Sequence, residues 1–312
     1  MINIKNTDLY VSELCLGGCP LGGYGWGDVE RNDLINAVKS AVDSGINFFD
    51  TADTYGLGES ERTLAEALGS KTKDVIITTK FGVRVENGKT TYDNSREYIF
   101  KAVEASLKRL NRDYIDLYQV HYRDDVTPLT EVAESLEILK TQGKIRYYGL
   151  SNIHEKDGEE LKAFGKDNPF VSFQNEYSLA CRKNEKDMIY LRDEFCMIPF
   201  TWGSLGQGIL SGKYDKNCKF PKNDRRSREV YVNFYGEKLL KNLEIVEVLK
   251  EIASKRNKSV SAVAIRWILD YLSNSVVIVG AKNPKQVAQN VEALGWNLDK
   301  EEIDKLENVS KE

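Results

Sequence analysis

Three short apolar runs each end in a side chain that can carry charge or move a proton. Asn47-Phe48-Phe49 runs into Asp50, Ile76-Ile77-Thr78-Thr79 into Lys80, and Leu117-Tyr118-Gln119-Val120 into His121. Tyr55 follows one short turn beyond Asp50. Such a set suits proton transfer to a developing oxyanion. A phenol of pKa near ~10 is too weak an acid at neutral pH unless its phenolate is stabilised. A lysine ammonium beside the phenol supplies that stabilisation, and a carboxylate keeps the lysine charged and oriented. A histidine N–H can polarise a carbonyl oxygen. A neutral lysine could instead form a Schiff base, an alternative that a neighbouring aspartate disfavours. Singly, each residue has a plainer role: a helix cap, a snorkelling cation, one of sixteen tyrosines, a structural histidine. Four such residues on one face point to a site.

The element pattern is what would bring them to one face. Short β-branched or aromatic runs predict strands at 13–16, 47–49, 75–79, 115–120, 145–150, 171–173, 197–200 and 276–279. Helical spacing lies between them: Ile99, Val103, Leu107 and Leu110 within 95–110, and Leu129, Val132, Leu136 and Leu139 within 128–141. A third helix, 259–272, starts at a Ser259 cap and carries Val260, Val263, Ala264, Trp267 and Ile268 on one side. Strands apolar on both faces, alternating with helices, imply a parallel sheet covered by helices. Eight units are the number that closes a barrel. The expectation is an α/β fold, a (β/α)8 TIM barrel forming a single domain over 1–312. Residues 2–12 would make an N-terminal hairpin across the barrel floor, and 236–255 and 299–310 two extra helices. All carboxyl ends of the strands then open on one face, where a barrel builds its active site. The irregular stretch 203–235 is too long for a passive connection and reads as a functional loop.

Bulk properties narrow the function classes. With 312 residues, 41% hydrophobic and 29% charged, the chain has globular composition, and its net charge of −4 gives no reason to expect nucleic acid. The amino end lacks a basic region followed by a long apolar stretch, and no apolar run approaches the ~20 residues that span a bilayer. Five scattered cysteines form no CxxC pair and suit a reducing compartment, so the cytoplasm is expected and no metal set is.

The segment NFFDTADTYGLGESER, residues 47–62, is similar almost position for position to the second-strand motif of the aldo-keto reductase family. QVHYRD at 119–124 resembles the motif around that family's catalytic histidine. GLSN at 149–152, FQNEYSL at 173–179, LGQGILSGKY at 205–214 and VGAKNPKQVAQN at 279–290 resemble its cofactor-binding blocks. The matches run in order over residues 13–295. The resemblance implies NADPH bound without a Rossmann domain and reduction of a small aldehyde or ketone by hydride transfer. Consistently, no Gly-x-Gly continues to a third glycine, and Gly-Lys-Thr at 88–90 has Val83 where a Walker A motif needs glycine. Tyr55 is implied as proton donor, with Asp50, Lys80 and His121 as its catalytic partners.

For the cofactor, the resemblance implies Ser151, Asn152 and Gln174 at the nicotinamide carboxamide and Trp202 stacked on the ring. It implies Gly203, Ser204, Leu205, Gln207 and Lys213 at the pyrophosphate, and Gly18, Cys19, Asp50 and Gly280 lining the site. Asn283-Pro284 reads as an N-cap with proline at N1, a helix start that favours phosphate. Lys282 then suits the 2′-phosphate, and Gln286 and Asn290 the adenine side, favouring NADPH over NADH. There are departures. Gly203-Ser204-Leu205 replaces the family's usual Ser-Pro-Leu, Gln289 a common glutamate, and Tyr122-Arg123-Asp124 the usual residues after the histidine. The last of these bears on the substrate side, so no particular carbonyl is carried over. The substrate wall is expected from 19–28, 84–94, 122–126 and 215–235, with Tyr24, Trp26 and Tyr122 as apolar contacts. Lys219, Lys222, Arg225, Arg226 and Arg228 form a basic cluster that reads as a solvated face. Its sharper reading is a contact with cofactor phosphates or an anionic substrate. Trp202 also resembles the family's potassium-channel β subunits, which bind nucleotide as regulatory partners; those depart at the histidine that is present here as His121.

Overall fold

The computed structural model describes residues 1–165 and 168–311. Eight parallel strands close into a barrel. They are β1 (Leu14–Gly17), β2 (Phe48–Asp50), β3 (Ile76–Phe81), β4 (Ile115–Val120), β5 (Ile145–Ser151), β6 (Ser172–Glu176), β7 (Ile198–Trp202) and β8 (Val276–Gly280). Each pairs with its sequence neighbours, and β8 closes on β1 from Val277↔Leu14 to Gly280↔Gly17. Every residue of β4 is buried, as a strand covered on both faces requires.

The helices form the outer layer, and their ends carry the expected caps. In α1 (Arg96–Leu110) the Ser95 side chain accepts from the Tyr98 N–H; in α2 (Val260–Tyr271) Ser259 accepts from Ala262. The helix after β8, α3 (Pro284–Val291), has Asn283 as cap and proline at its start. Two helices exceed the barrel repeat: Gly236–Arg256, and Lys300–Ser310, which opens with an Asp299/Glu302 capping box. The first 11 residues close the floor, with Ile2–Asn3 antiparallel to Tyr10–Val11. Ile4, Leu9 and Val11 are buried there among Cys15, Phe48, Leu117, Phe200 and Val276. Phe48 and Phe200 meet edge to face at 5.4 Å inside the barrel. The interior is therefore apolar below, leaving the polar ends of the strands to the opposite mouth.

Two local features differ from the sequence expectation. Residues 84–94, expected only as a loop of the substrate wall, belong largely to an antiparallel hairpin in which Val83–Glu86 pairs with Lys89–Tyr92. Its turn is Asn87-Gly88, at φ 51° and 74°, the two positive values of a type I′ turn. Strand β3 also runs to Phe81, because the ladder continues through Lys80↔Gln119 and Phe81↔Val120. Lys80 thus lies within a strand and is held at both ends by backbone pairing. The stretch 203–235 contains short 3-10 turns at Gly206–Ser211, Arg225–Ser227 and Val232–Phe234. Among the described residues no helix is long and apolar enough to cross a membrane.

Candidate active site

Asp50, Tyr55, Lys80 and His121 converge at the carboxyl mouth of the barrel. Lys80 Nζ, fully buried, donates to Asp50 Oδ2 at 2.6 Å and to the Thr51 carbonyl at 2.9 Å. It sits 5.3 Å from the centre of the Tyr55 ring. The Tyr55 and His121 rings meet edge to face at 5.7 Å, and His121 stacks on Tyr122 at 5.1 Å. The Tyr55 turn is placed by a backbone contact that only glycine allows. A Cβ on Gly56 would stand 2.3 Å from the Gly22 carbonyl oxygen, and one on Gly22 2.8 Å from the Tyr55 carbonyl carbon.

A buried amide network braces the ion pair from across the barrel. Gln174 Nε2 donates to Asp50 Oδ2 at 2.9 Å and to Gln119 Oε1 at 3.1 Å. Thr78 Oγ1 donates to the same Gln119 oxygen, and Gln119 Nε2 donates to Ser172 Oγ at 3.3 Å. The Asn152 side-chain amide donates to the His121 carbonyl at 2.9 Å, and the His121 N–H to the Phe81 carbonyl at 2.8 Å. Gln119 was not singled out by sequence; it reads there as one more strand residue.

Burial sets the protonation states. Burial first, then the Asp50 charge, pushes the Tyr55 phenol well above its ordinary pKa, while Arg225 pulls the other way. In the free site, then, burial dominates and the phenol keeps its proton. Burial, helped by Lys80, pushes His121 well below its ordinary value, so the ring is neutral. Its Nδ1 has no partner among the described residues.

A cleft of about 1000 Å³ runs from this cluster along the mouth. Cys19, Asp50, Ser151, Asn152, Gln174, Trp202, Gly203, Ser204, Leu205, Gln207, Lys213, Gly280, Lys282, Gln286 and Asn290 all line it. Gly18 does not. Its N–H donates to the Asp50 carbonyl at 2.6 Å and its carbonyl accepts from Ser60 Oγ at 2.7 Å, so it braces the wall from behind. The Ser204 hydroxyl is spent on the Thr201 and Ile278 carbonyls, both at 3.0 Å, which ties β7 to β8. Gln207 is likewise committed, donating to Glu176 and accepting from Asn233. What that loop offers an anion is its backbone N–H groups. Trp202 Nε1 is buried without a partner among the described residues.

The cleft's far end is cationic and strapped. Lys282 donates to the Trp26 carbonyl, and burial, then repulsion from Arg226, pushes it down to about 8. The Arg225 N–H donates to the Gly25 carbonyl at 3.0 Å, Trp26 bridges Asp224, and Asn223 donates to Asp28 at 2.7 Å. Loops 19–28 and 221–228 therefore meet across the cleft. The basic cluster divides: Lys219, Lys222 and Arg228 are exposed, whereas Arg226 is buried, clamped by Asp224 at 2.5 Å and packed on Phe220. A smaller pocket, about 360 Å³, adjoins Tyr55 and His121. Tyr24 and Tyr122 line it, joined by Thr90 and Tyr92 of the unforeseen hairpin; Trp26 lines the larger cleft.

Comparison with known proteins identifies the family. The model of the aldo/keto reductase family matches residues 13–311. The chain is 34% identical to the aldo-keto reductase YhdN of Bacillus subtilis, over 96% of this chain and 90% of that one. It is 30% identical to the NADH-specific methylglyoxal reductase of Escherichia coli, over 95% and 94% respectively. Among solved structures it is similar to the glycerol dehydrogenase AKR11B4 of Gluconobacter oxydans, with a TM-score of 0.88 and 34% identity, covering 99% of this chain and 94% of that one.

Proposed function

The chain belongs to the aldo/keto reductase family of carbonyl-reducing oxidoreductases, and from that premise we propose that it reduces a small aldehyde or ketone with NADPH, Tyr55 giving the proton. The observation that carries the reading is the buried Lys80–Asp50 pair beside Tyr55, at the head of a cleft of about 1000 Å³ that has room for a dinucleotide.

The cleft fits that cofactor. The orphaned Trp202 N–H, the cleft-lining backbone of Gly203, Ser204, Leu205 and Gln207, Lys213, and Lys282 at the start of α3 supply an aromatic wall and an anion site in line. When bound, the reduced nicotinamide supplies a hydride. The chain's residues do the rest. Neutral His121 donates a hydrogen bond to the carbonyl oxygen, polarising it and fixing its place beside the phenol. As the oxygen gains charge, the Tyr55 hydroxyl protonates it, and buried Lys80 stabilises the phenolate left behind. Asp50, held by Gln174, keeps the ammonium aimed. Preference for NADPH rests on Lys282; the NADH-specific relative makes that preference a matter for this chain's own residues. The Schiff-base alternative fares poorly, since Lys80 is fully buried, bonded to two acceptors and absent from both pocket walls. The complete catalytic four favour an enzyme over a nucleotide-binding regulatory subunit. Five scattered cysteines with no disulfide among the described residues suit the cytoplasm.

The test is Tyr55→Phe, which removes only the hydroxyl. NADPH affinity should hold while single-turnover reduction of the best carbonyl from a screen falls about 10²-fold or more. A near wild-type rate in that variant overturns the mechanism.

A further inference from the structure

Resting on the reading above, we propose that the smaller pocket selects carbonyl compounds bearing an anionic group, a carboxylate or phosphate, which the Arg225 guanidinium holds while the carbonyl lies between Tyr55 and His121. Among the described residues Arg225 is the only charged side chain lining that pocket; its other walls are aromatic rings, hydroxyls, a thiol and apolar groups, and its histidine is neutral. No carboxylate pairs with Arg225 among the described residues, and its Nε is buried without a partner. The contrast with its neighbour is sharp, since Arg226 is neutralised by Asp224 in a two-point contact. A guanidinium offers donors in a rigid fork that matches a carboxylate or phosphate edge. One left unpaired at a pocket wall is a recognition group without its anion.

Its position is held in advance. The Arg225 backbone N–H donates to Gly25, Nη2 donates to the Tyr24 carbonyl at 3.2 Å, and the guanidinium lies over Trp26 at 5.1 Å. The head group also needs the missing side chain of Gly25, where a Cβ would stand 2.6 Å from Arg225 Nε. Such preorganisation lowers the entropy lost on binding. Arg225 also reaches the larger cleft, but the phosphate end there already holds Lys213, Arg226 and Lys282. The smaller pocket has no other cation among the described residues.

Two matched pairs test this on the full-length enzyme with NADPH: succinic semialdehyde against butanal, and glyceraldehyde 3-phosphate against glyceraldehyde. Wild type should favour at least one anionic member, and the pair with the larger ratio of kcat/KM names the anion. Arg225→Gln should shrink that ratio about ten- to a hundredfold, through KM, the scale of one charge-assisted contact; Arg225→Lys should keep part of it. If Arg225→Gln does not fold, Gly25→Ala, which displaces the guanidinium, should shrink the ratio in its place. A second readout needs no turnover. Succinate, but not succinamide, should perturb tryptophan fluorescence of the NADP⁺ complex through Trp26, and Arg225→Gln should abolish the response. An unchanged ratio overturns the proposal. So does an equal loss for charged and neutral substrates with a matching rise in NADPH Kd, which would assign Arg225 to the cofactor. Absence of any carbonyl turnover would instead defeat the catalytic reading, and the succinate response would still decide the fate of Arg225.

Discussion

Replacing Lys80 with methionine keeps most of the side chain's volume and deletes its charge. The ammonium it removes is fully buried, 2.6 Å from an Asp50 carboxylate whose side chain is 4% exposed. Asp50 would keep the Gln174 hydrogen bond at 2.9 Å and lose its only counter-charge in contact among the described residues. Removing one partner of a buried pair costs about 3–5 kcal/mol, because the other charge stays behind in a poorly solvated place. Asp50→Asn should cost a similar amount, leaving the ammonium with the Thr51 carbonyl. The double variant strands neither charge, and a buried pair replaced as a unit is close to neutral, so it should lie within ~2 kcal/mol of wild type. The cycle then yields a coupling of several kcal/mol, far above the ~0.5 kcal/mol non-additivity of independent sites. Urea unfolding of all four proteins measures it, and melting should show the single variants lower by about 6–10 °C at roughly 2 °C per kcal/mol. Chemistry should not follow stability: single-turnover reduction should stay depressed about 10²-fold in the double variant, since the phenolate has lost its cation. Additive stability losses would refute the ion-pair argument. Retained turnover in Lys80→Met would refute the role of the cation.

Lys282 loses its proton as pH rises through about 8, so NADPH affinity should fall between pH 7 and 9 while NADH affinity stays nearly flat. Lys282→Met should abolish the difference between the nucleotides, a loss of roughly ten- to 150-fold for NADPH at pH 7; equal dissociation constants in wild type by fluorescence titration would exclude the 2′-phosphate assignment. Asp53 is pushed up to about 8 by burial, then by Glu61, and one carboxylate oxygen has no partner among the described residues. Its folded pKa lies above the unfolded value, so it costs nothing below pH ~4 and weakens the fold increasingly from pH 4 to 8. Asp53→Asn should therefore melt higher than wild type at pH 8 and alike at pH 4; an identical gap at both would remove the carboxyl from the account. Trp202→Ala should weaken NADPH binding and remove part of the tryptophan quench, and an unaltered quench would reduce Trp202 to packing.

Local pattern determined much of this protein. Runs such as 115–120, buried on both sides, and helices with Ser259 or Asn283 at their starts carry their own signals within a few residues, and eight such units close a barrel. Once the strands are parallel, Asp50, Lys80 and His121 must share a mouth, because that is where their strands end. The Asn87-Gly88 hairpin carries a local signal too, a turn dipeptide flanked by Val85 and Thr90, but the sequence reading passed over it. What local pattern could not supply is who faces whom across the barrel. Asp50 meets Gln174 across 124 positions, and Lys282 meets Trp26 across 256. Adjacent Arg225 and Arg226 are the same residue type, yet one is neutralised by Asp224 and the other faces a pocket with no anion. Burial, pairing and the resulting protonation states depend on the summed surroundings of each group, and only chain closure brings those surroundings together.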